Sequence, residues 1–192
     1  MTKNQLLNEL DYVNATRECR QQYANLVLAN LDLVKPLLDI VFMGDKVKSP
    51  RAAWILEFAF KANNSIILKH LDYFCNNLSA LHIDSAIRPC AKIIEILIEN
   101  YYSNKETQTL KHLTSFHKEL ITENCFDWLI NDQKIAVKAY SMTSLYLLGT
   151  EIDWIHTELR QIITQNYPNG SAGIKARSRH ILKRIDDFNS QT

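Results

Sequence analysis

Arg51-Ala52-Ala53-Trp54-Ile55-Leu56 opens a segment of helix-period apolar pattern, and the same opening returns at Arg177-Ser178-Arg179-His180-Ile181-Leu182. Looser versions stand between them at Arg88-Pro89-Cys90-Ala91-Lys92-Ile93 and Lys138-Ala139-Tyr140-Ser141-Met142-Thr143. The basic residues are 37, 50 and 39 positions apart, and each segment follows another stretch of helical pattern. A helix pair recurring at about 40 residues marks an α-solenoid, in which each pair buries its apolar face against its neighbours. The spacing predicts an all-α fold, an α-solenoid of about four to five antiparallel helix pairs. It forms one domain over 1–192, with the clearest repeats over 34–188.

Working outward, Asn14 and Thr16 are caps for a helix ending near Asn30, after a shorter one from Gln5 to Tyr12. Pro36 suits the first turn of a helix stopped by Gly44, and Ser49-Pro50 leads into Arg51–Ala62. Ile67, Leu71, Phe74, Cys75 and Leu78 share one face of the next helix. A helix from Ala86 to about Tyr101 carries Pro89 in its first turn. The polar stretch 103–109 reads as an inserted loop, and Leu110–Ile130 follows in one or two pieces. Lys134–Leu148 is almost wholly apolar and belongs at the centre of the stack. Gly149 ends it, and Thr150 caps the next helix with Asp153 three residues on. Tyr167-Pro168-Asn169-Gly170 breaks the pattern before Ile174–Phe188. No stretch alternates at period two, so no sheet is expected.

The 192 residues fit one domain, in which about 70% of the unfolded chain's surface is buried. Four Gly and four Pro argue against a sandwich, a barrel or a glycine-rich nucleotide fold, and a net charge of +1 supplies no global field toward nucleic acid or lipid. The opening MTKNQLLNELDYVN lacks an apolar run of signal-peptide length, and no stretch reaches the roughly 20 apolar residues of a membrane span. Cys19, Cys75, Cys90 and Cys125 lie within helical apolar patterns, as buried free thiols of a reducing compartment do. A cytoplasmic protein is expected, without a membrane partner, as a monomer or homodimer.

The repeat openings resemble the HEAT-like family, whose second helices open with an aliphatic residue, a basic residue, small residues and a Leu. Ile87-Arg88, Val137-Lys138 and Ile174-Lys175 fit, best of all Val137-Lys138 with Ser141, Leu145 and Leu148-Gly149. That family often places an Asp shortly before the basic residue to pair across repeats; Asp84 and Asp132 sit suitably, while Asp45 and Asn169 serve the first and last repeats. Arg51 departs, since it follows a Pro. The chain also resembles short stand-alone bacterial proteins labelled adenylosuccinate lyase, but the serine-rich Met-Pro-Lys-Asn loop of that enzyme is missing here. Lyase chemistry has no visible residues to carry it.

The candidate site lies on the repeat helices. At about 100° per residue, Arg51, Trp54, Glu57 and Lys61 fall on one stripe with Phe58 beside it. Arg88 and Lys92, then Lys138, then Arg177 and His180, occupy matching offsets, and stacking repeats brings such stripes together. A rigid aromatic among mixed charges suits a protein or peptide partner, with Trp54 as anchor. The competing reading packs Trp54 between repeats and uses the charges as inter-repeat pairs.

Lys175, Arg177, Arg179, His180, Lys183 and Arg184 crowd the last helix, either touching phosphate or solvating a terminal repeat. The HEAT-like resemblance adds a rival function, repair of alkylated bases with Trp54, Trp128, Trp154 and these cations, against which the near-neutral charge counts. His112 and His117 stand five apart without the i, i+4 spacing of a helical zinc site. His70, Cys75 and His82 lack finger spacing, and Asp153 with His156 reads as a surface pair. No phosphate loop, G-x-S-x-G or Cys-x-x-Cys occurs. The expectation is a non-enzymatic interaction module without metal or cofactor.

Overall fold

The computed structural model describes residues 2–166 and 170–191, so the expected break at Tyr167, Pro168 and Asn169 lies outside the described residues. Among those described there are eleven α-helices and no strand. They are α1 (Lys3–Glu9), α2 (Arg17–Ala29), α3 (Val34–Val41), α4 (Lys48–Ala62), α5 (Leu71–Asn76) and α6 (Asp84–Tyr102). Then come α7 (Thr107–His112), α8 (Ser115–Ile130), α9 (Ile135–Leu148), α10 (Asp153–Asn166) and α11 (Ala172–Asn189).

Helix starts follow side-chain chemistry. Thr2 with Gln5, and Thr114 with His117, form reciprocal capping boxes, while Thr16 and Ser171 cap α2 and α11. Gly44 takes φ +77°, the left-handed conformation that lets the chain turn sharply after α3. Asp45 then accepts backbone N–H bonds from Val47 (2.8 Å) and Lys48 (2.7 Å), which starts α4 three residues before Arg51. Those two bonds hold its carboxyl below the usual range.

Three local expectations are changed. Ile67, Leu71, Phe74, Cys75 and Leu78 are all buried as the spacing requires, yet the backbone there is a 3₁₀ stretch (Asn64–His70), the short α5 and a second 3₁₀ turn (Leu78–Ala80). The polar stretch is not all loop, because Thr107 to Thr109 form the first turn of α7 and Thr109 is fully buried. Thr150 does not cap α10; its hydroxyl donates to the Leu147 carbonyl (2.6 Å) and closes the end of α9.

One apolar cluster runs from Leu6 to Ile185. Helices α2, α4, α6, α9 and α11 pack in that order as a row, and α3, α8 and α10 back it, with α5 against α8 and α1 against α3. Every residue from Ser141 to Gly149 is buried, as an almost wholly apolar α9 demands. No helix among the described residues is long and apolar enough to cross a membrane.

Candidate functional site

Neighbours on several sides leave α4 and α6 one narrow exposed stripe each. On α4 it is Arg51, Trp54, Phe58 and Lys61; on α6 it is Ser85, Arg88, Lys92, Ile96 and Glu99. Glu57 is not on the stripe surface: it is 2% exposed, turned into the seam between the two helices. There Arg88 Nη2 donates to its Oε2 at 3.0 Å and Lys61 Nζ to its Oε1 at 2.5 Å. A buried carboxylate needs such partners, because its desolvation costs several kcal/mol, on the order of what one good pair returns.

Each seam of the row carries a similar link. Between α2 and α4, the Arg20 guanidinium stands 5.0 Å from the Phe58 ring centre and 5.9 Å from that of Trp54. Between α4 and α6, the Trp54 indole N–H donates to the Ser85 carbonyl at 3.2 Å. Pro89 explains that bond. It lies inside α6 and has no N–H, so the carbonyl four residues earlier, that of Ser85, loses its helical donor and the indole takes its place.

Between α6 and α9, Lys92 lies 4.9 Å from the Tyr140 ring centre while pairing with Glu95, which is 4% exposed, at 2.5 Å. Between α9 and α11, Arg177 donates to Thr143 Oγ1 at 3.1 Å and Arg184 stands 4.0 Å from the Tyr146 ring centre. Glu99 draws these ends together. Burial and the charge of Glu95 raise its pKa, while Lys92, Arg177 and Arg184 oppose that rise.

The structure thus brings Trp54, Glu57, Lys61, Arg88, Lys92 and Arg177 into one band across the row, with exposed His180 between Arg177 and Arg184 on α11. Arg51 lies at the band's edge and is committed to the N-terminal segment, donating to the carbonyls of Leu10 (2.8 Å) and Asp11 (3.2 Å). Lys138 lies elsewhere, lining a cavity of about 270 Å³ with Met142 of α9, Ile163 of α10 and Ile174 of α11. The Asp84 carboxylate pairs with Lys134 at 3.4 Å, one helix start to the next. Sequence reasoning missed Arg20 and Tyr146; no local pattern marks them, since their partners are on other helices.

The resulting surface has an uneven charge. Its acids, Glu57 and Glu95, are buried and paired, and Glu99 is half-buried. Its cations, Arg20, Lys61, Arg88, Lys92, Arg177 and Arg184, keep part of their surface open, beside the rings of Trp54, Phe58 and Tyr140.

Other titratable groups serve packing. His117 Nδ1 accepts the Thr114 N–H (3.1 Å), so its Nε2 donates to Asp72 (2.7 Å), tying α8 to α5. His156 donates to the Tyr146 carbonyl (2.8 Å), not to Asp153. Burial pushes the thiols of Cys75 and Cys125 up to about 12 and raises that of Cys90 as well, which keeps them as thiols rather than nucleophilic thiolates. Among the described residues no three His, Cys, Asp or Glu side chains converge on a metal-sized site. Comparison of the chain with protein-family models, with curated proteins and with solved structures gave no match.

Proposed function

We propose that this chain is a HEAT-like α-solenoid acting as a non-enzymatic recognition scaffold, and that the band across α2, α4, α6, α9 and α11 binds an acidic segment of a partner protein. The observation that carries the reading is the burial of the band's acids under their own cations. Glu57 and Glu95 are neutralised inside the seams, so a ligand meets cations and aromatic rings. Carboxylates of a peptide would replace water on Arg20, Lys92 and Arg184, while the rings beside them supply contact area at low entropic cost.

The band has a length. Packed helices stand about 8–10 Å apart, so four seams span about 32–40 Å. An extended peptide rises about 3.3 Å per residue, which makes the matching ligand about ten to twelve residues long.

The test is a fluorescently labelled twelve-residue peptide alternating Glu with Gly and Tyr, titrated into wild type and into Arg20→Gln/Arg184→Gln. That variant removes cations at both ends and leaves the pairs of Glu57 and Glu95 whole. Binding that persists at about 0.15 M salt and weakens at least tenfold in the variant supports the proposal. Equal binding by both proteins overturns it. Preference for single-stranded DNA, falling steeply with salt, would assign the band to nucleic acid instead.

A further inference from the structure

A second groove of opposite charge lies in the other layer, between α8 and the turn joining α9 to α10. Its volume is about 590 Å³, and Glu119, Thr122, Glu123, Phe126, Glu151 and Trp154 are among the residues that line it. Trp154 is 53% exposed and stacks on Phe126, with ring centres 5.6 Å apart and planes at 21°. A large ring held against a neighbour and left half in water is a poor way to bury apolar surface, but a ready platform for a ligand.

The acids around it are arranged unlike those of the band. Glu119 and Glu123 are one turn apart on α8, both exposed, and among the described residues neither carboxylate has a hydrogen bond or ion pair. Like charges at i, i+4 repel, so this pairing costs the isolated protein stability. The nearby cation does not relieve them. Lys118 also lines the groove, but it is 3% exposed and its charge is committed, 2.6 Å from Glu151 and 3.9 Å from the Tyr101 ring centre. Glu151 is further satisfied by the Tyr102 hydroxyl at 2.6 Å. Two unneutralised carboxylates therefore flank an exposed indole over an apolar floor. That is the complement of a guanidinium or ammonium group, which gains from the ring face and from the carboxylates together.

We propose that the groove between α8 and the α9–α10 turn docks a basic, Arg- or Lys-bearing segment of a partner protein, with Trp154 under the cation and Glu119 and Glu123 as its counter-charges. The site shares no residue with the cationic band, so either can fail without the other.

The probe is an eight-residue peptide alternating Arg and Gly, followed through the indole N–H resonances of the three tryptophans. Trp128 is buried, and its unmoved resonance shows that each variant is folded. At about 0.15 M salt the expected result is a shift at Trp154 alone, with affinity lowered about tenfold in Glu119→Gln/Glu123→Gln and unchanged in Glu158→Gln on α10. No binding, equal affinity in the double variant, or a shift at Trp54 in place of Trp154 would overturn the proposal.

Discussion

Single residues are held here by close approaches that composition does not reveal. Gly149 follows the last residue of α9 with the ring of His156 against it, and a Cβ at that position would stand 2.1 Å from His156 Cδ2. The imidazole is anchored by the Tyr146 carbonyl, stacks on the Tyr146 ring and meets the Phe188 ring edge-on, so moving it aside breaks those contacts. Gly149→Ala should therefore lower the stability measured by urea unfolding by about 1–3 kcal/mol, as overpacking does. In a His156→Ala background the same change should cost far less, because the obstructing ring is gone. Equal costs in both backgrounds would mean that glycine serves the backbone at that turn and not the imidazole.

At the scale of elements, Pro89 and Trp54 form one unit although they belong to different helices. The proline removes a donor from α6, and the indole of α4 restores it at Ser85. Trp54→Phe keeps most of the ring and removes the bond, and should cost about 0.5–1.5 kcal/mol. With Pro89→Ala in place, the new backbone N–H can bond Ser85 itself, so the loss on Trp54→Phe should shrink toward zero. A double-mutant cycle reads that coupling, and additive costs would refute it. Of this unit, the sequence shows an aromatic at stripe spacing and a proline whose position suits the first turn of a helix. It did not show the link, because α6 begins at Asp84 and places Pro89 past its first turn.

The whole molecule is tied together by long-range polar bridges as well as by its core. Glu151 receives Lys118 of α8 and Tyr102 of α6 at the α9–α10 turn, and the bonds from Lys118 and then Tyr102 lower its pKa. Its contribution is present above the ordinary carboxylate range and lost as pH falls through the depressed folded value. Glu151→Gln should thus destabilise the protein at neutral pH by less than about 1 kcal/mol, since the carboxylate is half in water, and the difference should vanish in acid. A difference independent of pH would assign the effect to packing. At this scale, sequence alone determined the all-helical class, the approximate helix borders and the burial of α9, because periodicity, caps and breakers act within a few residues of one another. Tertiary structure decided the rest. Periodicity cannot orient a helix that is apolar all round, so only packing sets Tyr140 beside Lys92 of α6 and Lys138 on the cavity that α9 shares with α10 and α11. Nor can it show that Glu57 is buried beneath Arg88, or that Trp154 lines one groove with Glu119 and Glu123, because residues 31 to 35 positions apart are brought together by the fold and not by local pattern.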